Sequence, residues 1–379
     1  MESVSIIVPI FRGRKFIKGL IRQLEICADI CKKSCALELV LVNDDPTERI
    51  GEYTSEKIRV KVFETDINRG IHGARVWGLE YCIGNYVLFL DQDDKIRPEY
   101  FSSQFSHLNN ADAVVCKLLH ESRQYYDTRM PFEEVVTREY IISVRNPIIS
   151  PGQVLIRKDK IPELWRETEL KNNGADDWLL WISMQAQNCK FDQNPNVLFE
   201  HVVEGENESI NAKHMIDSER EIYQIVKEKG ILKDRELEAF QAAIHNAEND
   251  HIKVLSKFQR MFFVYNTWMM LYEQGIRLED YLIQHNIFRI AIYGFSYIGK
   301  RLYYCLRESR VCAAYFIDMN AEYLEDSPIP ICRPDVVLEP VDMIIISLTE
   351  GVDTIKKKIM ENSNASVCTI VELFDNMKR

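Results

Sequence analysis

Three aspartates within four residues are the first groups in this sequence whose types and spacing suggest chemistry. Asp91, Asp93 and Asp94 directly follow the apolar run at 86–90, which predicts a buried strand. Grouped carboxylates repel one another unless a positive charge lies among them. Mg²⁺ or Mn²⁺ would supply that charge, because hard divalent ions prefer oxygen ligands. The cluster alone leaves two interpretations open, a metal site on Asp91 and Asp93 and a solvated turn or helix N-cap before Pro98.

A second acidic pair, Asp176 and Asp177, stands where a helix is predicted to begin. The preceding residues 172–175 (Asn-Asn-Gly-Ala) indicate a turn, and apolar residues follow the pair. The helix dipole favours carboxylates in a first turn, which is sufficient by itself to account for the pair. A chemical role is the alternative, because a positioned carboxylate accepts a proton from an attacking hydroxyl group. The pair alone leaves both interpretations open.

The elements that must position these acids alternate regularly along the chain. Apolar runs predict four buried strands, and helical spacing predicts two helices between them. The strands are predicted at 4–9, 37–42, 60–63 and 86–90, and the helices at 16–27 and 74–82. This alternation is typical of a doubly wound α/β sheet, which binds ligands at the carboxyl ends of its strands. We therefore expect the acidic turns at 43–45 and 91–94 to face one crevice.

Three separated blocks resemble family 2 glycosyltransferases, which have the GT-A fold. The first two are residues 5–9 (Ser-Ile-Ile-Val-Pro) and 40–45 (Val-Leu-Val-Asn-Asp-Asp). The third runs from Asn68-Arg69-Gly70 to Asp91-Gln92-Asp93-Asp94 and includes Ala74-Arg75, Gly78 and Gly84-Asn85. The order and spacing of the blocks match the family. A later block, 172–178, resembles the family's Glu-Asp-Trp motif at a helix start.

The resemblance covers roughly residues 1–210 and assigns roles to individual residues. It implies that Asp177 is the catalytic base, with Asp176 in place of the family's Glu. It also implies that Asp44 contacts the nucleotide base. The implied metal ligands are Asp93, Asp91 and His201, and the metal is Mn²⁺ or Mg²⁺. The implied nucleotide-sugar site comprises Pro9, Phe11, Arg12, Asp44, Asn68, Gly70, Arg75, Asp91 and Gln92.

Some of these positions depart from the family pattern or are compatible with a purely structural role. Asp45-Pro46 replaces the usual Gly-Ser, and Phe11-Arg12 replaces the common Tyr-Asn, which changes what surrounds the nucleotide base. His201 follows a strand-like run, so a structural histidine is the alternative to a metal or diphosphate contact.

The second half of the sequence has a different character. Residues 215–285 are helical in pattern and lack proline, and residues 289–347 again alternate strands and helices. Gly294 and Gly299 enclose four residues, so the GxGxxG spacing of dinucleotide sites is not met. A regulatory or scaffold domain is predicted in preference to a dinucleotide site. The predicted domains are a GT-A domain at 1–212, a helical linker or bundle at 213–285 and a small Rossmann-like domain at 286–379.

Composition excludes some classes of protein. The 379 residues include 47 Lys+Arg and 58 Asp+Glu, a net charge of −11, which argues against a general nucleic-acid binder. The N-terminus lacks a basic region and a cleavage site, and no pair of the ten cysteines has CxxC spacing. We expect a cytoplasmic bacterial protein, with attachment at the inner face of the membrane left open.

Together these features predict a metal-dependent, inverting glycosyltransferase. Its donor is a nucleotide-diphospho-sugar, UDP-linked, and its acceptor is a hydroxyl group of a saccharide or glycolipid in surface polysaccharide or capsule synthesis. A nucleotidyltransferase would need a Gly-rich loop after the first strand, where residues 11–15 read Phe-Arg-Gly-Arg-Lys. A non-catalytic sugar-nucleotide-binding scaffold is the other alternative.

Four further expectations concern residues outside the motifs. We expect His72 to lie in an exposed loop, and Cys27, Cys31 and Cys35 to share one helix face. Trp178 and Trp181 are expected to divide between the core and an acceptor cleft. The apolar helix at 255–272 is expected to contact a core or a second subunit, with a membrane-surface role as the alternative.

Overall fold

The computed structural model describes residues 2–32, 35–108, 110–120, 123–125, 131–202, 211–324 and 327–378. The chain divides into two compact units, Met1–Ile252 and Lys253–Arg379. The first unit carries the acidic clusters and the second carries the glycine turn. The division into three domains stays a prediction.

Within the described residues, a mixed sheet of nine strands forms the centre of the first unit. Its order is β3-β2-β1-β4-β8-β6-β9-β5, and β7 pairs with β6. The strands are β1 (Glu2–Ile10), β2 (Cys35–Asn43), β3 (Arg59–Glu64), β4 (Tyr86–Phe89), β5 (Lys95–Ile96), β6 (Ala113–His120), β7 (Arg123–Tyr125), β8 (Val154–Arg157) and β9 (Phe191–His201). The pairs β1–β2, β2–β3 and β1–β4 are parallel, whereas β8 is antiparallel to both β4 and β6.

The apolar runs of the sequence account for the burial of the central strands on both faces. In β1, Ile7 faces one core, while Val4, Ile6 and Val8 face the other, and all four are fully buried. A continuous apolar strand is what a parallel sheet covered on both sides requires. Strand order reverses between β1 and β4, so the carboxyl ends of these strands form the switch point.

Helices cover both faces of this sheet. They are α1 (Ile17–Cys31), α2 (Gly70–Tyr81), α3 (Tyr100–His107), α4 (Phe132–Val135), α5 (Arg138–Ser143), α6 (Glu163–Glu167), α7 (Asp176–Ala186), α8 (Ala212–Lys229) and the first part of α9 (Asp234–Glu273). Ile222 of α8 and Phe240 of α9 are fully buried in the same core as α7. The helices beyond residue 212 therefore contribute to the core of the first unit.

In the part of the second unit that the structure describes, five strands form an entirely parallel sheet in the order β12-β11-β10-β13-β14. The strands are β10 (Arg289–Tyr293), β11 (Cys312–Ile317), β12 (Ile331–Cys332), β13 (Met343–Ile346) and β14 (Ser366–Thr369). The helices are α10 (Leu278–Gln284), α11 (Tyr297–Leu306), α12 (Val352–Asn362) and α13 (Ile370–Met377), together with the later part of α9. The predicted Rossmann-like architecture is confirmed.

Two local expectations, at Cys35 and His72, are wrong. Cys35 begins β2, because the helix ends at Cys31, and the two Sγ atoms lie 2.8 Å apart. His72 is buried within α2, with Nε2 3.0 Å from the carbonyl oxygen of Trp165, because α2 begins at Gly70 and packs on the sheet.

Both tryptophans of α7 lie in the core, contrary to the expected division between core and cleft. Trp178 packs edge-on against Phe240 at 5.4 Å, and its indole nitrogen donates to the carbonyl oxygen of Ile141 at 2.9 Å. Trp181 is fully buried. The helix is buried all round, so it fixes the acids at its start rather than presenting a stacking surface.

Among the described residues, no helix combines the length and apolar character needed to cross a membrane.

Candidate active site

The loops that follow β1 and β4 are joined directly at the switch point. The backbone N–H of Phe11 donates to Oε1 of Gln92 at 3.1 Å, and Nε2 of Gln92 donates back to the carbonyl oxygen of Phe11 at 3.1 Å. A Cβ on Gly13 would lie 1.8 Å from Oε1 of Gln92, so a larger residue there would displace the Gln92 side chain. Arg12 takes a positive φ of 51°. The structure thus brings Pro9, Phe11 and Arg12 to the turn that carries the acids.

Asp44 lies buried just beyond β2 on the same edge of the sheet. Its Oδ1 accepts a hydrogen bond from the backbone N–H of Arg69 at 2.8 Å. Burial raises the pKa of Asp44, although hydrogen bonds from the backbone N–H groups of Arg69 and Gly70 oppose the shift. Asp44 therefore connects β2 to the turn that opens α2.

The turn that opens α2 depends on Asn68 and Gly70. Oδ1 of Asn68 accepts from the backbone N–H of Gly70 at 2.8 Å, and Gly70 has a φ of +73°. A Cβ on Gly70 would lie 2.7 Å from the side chain of Asn173. Glycine is therefore needed for both the backbone conformation and the close approach of the loop before α7.

Arg75 of α2 joins the two acidic clusters. Its Nη2 donates to Asp91 Oδ1 at 2.6 Å, and its Nη1 donates to Asp176 Oδ2 at 2.7 Å. Burial opposes the charge on Arg75, which is 3% exposed, but the two carboxylates outweigh it and raise the pKa of the guanidinium. Arg75 therefore ties the loop after β4 to the start of α7.

Asp177 is the second residue of α7 and is 8% exposed. Its Oδ1 accepts from the backbone N–H of Trp178 at 2.7 Å, and its Oδ2 accepts from Nδ2 of Asn146 at 3.2 Å. Burial, reinforced by the neighbouring Asp176 charge, raises the pKa of Asp177 to about 8. Arg75 lowers that pKa but is bonded to Asp176 instead. The two adjacent acids thus have different environments.

Asp94 and His201 form a buried pair beside the acidic turn. His201 Nδ1 lies 2.9 Å from Asp94 Oδ1, which also accepts from the backbone N–H of Val202 at 3.0 Å. Burial raises the pKa of Asp94 to about 6. Burial alone would lower the pKa of His201, but the hydrogen bond and charge of Asp94 raise it. His201 therefore reaches the acidic turn through Asp94.

The segment 146–150 contacts both acidic regions, although no pattern in the sequence marks it. Asn146 donates to Asp177, and Ser150 Oγ donates to Asp94 Oδ2 at 3.2 Å. Asn146 stands in no motif, and Ser150 begins a capping box with Gln153, a pattern that does not indicate contact with Asp94. Their partners lie 31 and 56 residues away, so only the fold identifies these contacts.

Helix α8 holds the loop that precedes α7. Glu221 accepts hydrogen bonds from the backbone N–H groups of Lys171 and Asn172 at 2.8 and 2.9 Å. Ser218 Oγ accepts from the backbone N–H of Ala175, the N-cap residue of α7, at 2.9 Å. The position of Asp177 thus depends on a helix outside the predicted GT-A boundary at 212.

The donor set suits a divalent ion that is only partly held by protein. In the described ranges, no three His, Cys, Asp or Glu side chains are grouped so that they could hold a metal ion. Magnesium-type sites commonly use one or two carboxylates together with substrate phosphates and water. Asp93 is half-buried and Asp91 retains partial exposure in the same turn. These residues fit an ion completed by a bound diphosphate.

Residues 5–165 match the family model described as glycosyl transferase family 2. An uncharacterized glycosyltransferase of Bacillus subtilis, EpsJ, is 30% identical over 144 residues, which are 36% of this chain and 40% of that protein. The poly(ribitol-phosphate) β-N-acetylglucosaminyltransferase TarS of Staphylococcus aureus is 32% identical over 124 residues, 31% of this chain and 21% of TarS. The chain thus spans less than half the length of these curated relatives.

Among solved structures, S. aureus TarS 1–349 in complex with UDP-GlcNAc aligns with a TM-score of 0.45 and 21% identity, covering 64% of this chain and 72% of that one. The family match covers β1, β2, α2, β4 and the acidic turn, and the curated relatives are named as glycosyltransferases. The predicted family and GT-A fold class are confirmed for residues 5–165, the part of the chain that matches the glycosyl transferase family 2 model.

Proposed function

We propose that this protein is a metal-dependent, inverting glycosyltransferase. It transfers a sugar from a UDP-linked donor to a hydroxyl group of a saccharide or glycolipid acceptor in surface polysaccharide synthesis. The observation that carries the proposal is the bridge of Arg75 from Asp91 to Asp176, which sets the acidic turn and the start of α7 side by side. The family match and the glycosyltransferase names of relatives support the same reaction class.

Asp177 is the proposed general base. A bond forms between the acceptor oxygen and the anomeric carbon, and the bond from that carbon to the diphosphate breaks. The acceptor proton passes to the Asp177 carboxylate, and the leaving diphosphate keeps the electron pair. A carboxylate whose pKa lies near the working pH is suited to this task, and burial gives Asp177 a pKa of about 8. Asp176 is a weaker candidate, because its Oδ2 is bonded to Arg75.

The donor is assigned to the switch point between β1 and β4. Pro9, Phe11 and Arg12 flank the nucleotide on one side, and Asp44 is assigned to its base. Asn68, Gly70, Asp91 and Gln92 line the approach to the diphosphate. The bonds between Phe11 and Gln92 and between Asp44 and Arg69 hold this edge ready before a ligand binds. Preorganised contacts of this kind reduce the entropy lost on binding.

The metal is assigned to Asp93, with Asp91 beside it. When bound, Mn²⁺ or Mg²⁺ offsets the negative charge that develops on the leaving diphosphate. His201 is assigned to the metal or the diphosphate, and its Nδ1 lies 2.9 Å from Asp94 Oδ1. Asp94 thereby fixes the orientation of the ring.

Calorimetric titration with UDP, in the presence and absence of Mn²⁺, tests this proposal. We expect Mn²⁺ to tighten UDP binding, and Asp93→Asn to remove at least about a tenfold enhancement, as loss of a metal-site group does elsewhere. Asp353→Asn is the matched control, because Asp353 is an exposed aspartate of α12 in the second unit. It should bind UDP like the wild type.

The same titrations decide between the alternatives. Preferential binding of a nucleoside triphosphate would support a nucleotidyltransferase, and UDP binding without donor turnover would support a scaffold. A panel of UDP-, GDP- and TDP-sugars, assayed for release of the nucleotide diphosphate, identifies the donor. Absence of binding by every nucleotide would contradict the proposed function.

A further inference from the structure

Helix α9 has two apolar faces within the second unit, and the unit's own core covers one of them. Val264 and Leu271 are buried in that core. Trp268 packs against Phe374 of α13 with ring centroids 5.5 Å apart. This face accounts for the attachment of the helix to its own sheet. It does not account for the exposed apolar residues on the adjoining face of the helix, which Tyr265 borders because it packs against the same core.

The other apolar face, which we call the heptad stripe, repeats every three and four residues. It consists of Leu255, Phe258, Phe262, Tyr265, Met269 and Tyr272. Phe262 is 71% exposed and Phe258 is 57% exposed, whereas Tyr265 is half-buried. Alternating spacings of three and four are those of a helix packed along a second helix. A helix covered only by its own unit does not need this second stripe.

The exposed area is large for a monomer and suitable for an interface. With roughly 200 Å² per large side chain, the stripe exposes roughly 550 Å² of mostly apolar surface. The largest apolar patch of a typical monomer is about 300–600 Å² and is often functional. A stable interface buries about 800 Å² on each partner. The stripe alone supplies roughly two thirds of that area, and the residues that border it supply the rest.

We propose that the heptad stripe is the contact through which two copies of this chain form a dimer. A symmetric dimer places the same patch on both subunits, and the stripe is complementary to itself because it repeats one spacing of large apolar side chains. Exposed polar residues Gln259, Asn266 and Glu273 recur every seven residues along one border and form a polar rim.

Charge favours a second copy over a lipid surface. Binding to an anionic membrane needs a strongly basic border. Arg260 lies on the side of the helix away from the stripe and is paired with Glu350. The chain as a whole carries a net charge of −11, which repels anionic lipid. Two copies of the stripe exclude water from each other without requiring a cationic border.

Sedimentation equilibrium of the full chain tests the proposal. The wild type should have twice the 44.4 kDa mass of one chain. Phe262→Glu and, separately, Phe258→Glu should raise the dimer dissociation constant at least about 30-fold, because they place a charge at the centre of the interface. Val337→Glu is the matched control, since Val337 is 96% exposed but lies outside the stripe. It should remain dimeric.

Circular dichroism checks that each variant is folded. We expect folded variants, because both phenylalanines are exposed. A monomeric wild type at tens of micromolar overturns the proposal. So does a folded Phe262→Glu or Phe258→Glu variant that dimerises as tightly as the wild type. Binding of a monomeric wild type to vesicles of anionic lipid, abolished by Phe262→Glu, would instead assign the stripe to a membrane and also overturn it.

Discussion

Asp318 in the second unit and Asp177 in the first unit have opposite environments. In the second unit, Asp318 lies just beyond β11 and accepts from the backbone N–H groups of Phe295 and Asn320, each at 2.9 Å. In the first unit, Asp177 is buried with its pKa raised to about 8. One acid closes a turn by satisfying backbone donors, and the other is held in an environment that opposes its charge.

This difference distinguishes a carboxylate with a structural role from a carboxylate that is a candidate for catalysis. Burying a carboxyl group without a full charge partner weakens folding wherever the group must ionise. Perturbed carboxyl groups are concentrated at functional sites, where this destabilisation serves chemistry. The glycines of the second unit have a packing role, because a Cβ on Gly299 would lie 2.1 Å from the carbonyl oxygen of Gly294. Helix and turn therefore pack closely without any need for a ligand.

The strongest loss of activity should follow from a change at Asp177. Asp177→Asn removes the proposed base and should lower the rate of UDP release from a UDP-sugar by roughly 10²–10⁴. UDP affinity, measured by calorimetry, should stay within about threefold of the wild type. Asp280→Asn, in the first turn of α10, is the control and should leave both values unchanged. A variant that keeps more than about a tenth of the rate contradicts the assignment.

Removing the bridge between the acidic clusters should destabilise the first unit. Arg75→Met leaves Asp176 buried without its partner, and breaking a buried ion pair costs about 3–5 kcal/mol. Urea unfolding followed by circular dichroism measures this loss. Adding Asp176→Asn should restore part of the stability, because it removes the unpaired charge. Additive losses in the double variant would show that the pair does not couple the clusters.

The raised pKa of Asp177 predicts opposite effects of pH on activity and stability. A base must be ionised, so kcat/KM should fall about tenfold per pH unit below a pKa of about 8. In the unfolded chain the carboxyl group ionises near pH ~4. The folded state therefore holds the proton more tightly. That contribution to stability is complete below about pH 4 and is lost as pH rises through about 8.

Stability can be compared in the same variant used for kinetics. At about pH 9 the Asp177→Asn protein should melt roughly 10 °C above the wild type, because a pKa raised to about 8 corresponds to roughly 5 kcal/mol. At about pH 4 the two proteins should melt together. Differential scanning calorimetry measures both, and an equal difference at the two pH values would contradict the raised pKa.

A smaller effect is expected at Asn146. Asn146→Ala removes the hydrogen bond to Asp177 Oδ2, which favours the ionised carboxylate. We expect kcat/KM to fall about tenfold near neutral pH and its acidic limb to move to higher pH, because hydrogen bonds to charged groups contribute about 1.5–3 kcal/mol. Asn266→Ala, an exposed position on α9, is the control. An unchanged pH limb would assign Asn146 a structural role only.

The weakest effect is expected in the second unit. Asp318→Asn should lower the free energy of unfolding by about 1 kcal/mol, because it weakens two hydrogen bonds to backbone N–H groups. Nucleotide affinity and turnover should not change. A loss of nucleotide binding in this variant would show that the second unit has a ligand site. It would also remove the contrast between Asp318 and Asp177.

The sequence predicts the main strands because each is a short apolar run with buried β-branched residues. Val4, Ile7 and Val40 lie in the predicted strands and are fully buried. The acidic turn at 91–94 is equally predictable from the sequence, because the apolar run of β4 ends abruptly in acidic residues. Local pattern and local structure coincide in these segments.

The rest of the candidate site depends on contacts between distant segments. The capping box of Ser150 gives no sign of its contact with Asp94, and Asn146 and Glu221 are identified only by the partners that the fold brings to them. The error at His72 has the same origin, because glycine-rich sequence indicates a loop while packing on the sheet makes a helix. Burial, and with it the pKa of Asp177, is likewise a property of the assembled core.

A crystal structure of the wild type with UDP and Mn²⁺, with the metal located by anomalous scattering, would show whether the acids serve one reaction centre. We predict one Mn²⁺ about 2.1 Å from a carboxylate oxygen of Asp93, bound to the diphosphate, in the cleft that contains Asp177. A metal bound away from Asp93, or a diphosphate in a cleft that Asp177 does not face, would contradict this prediction.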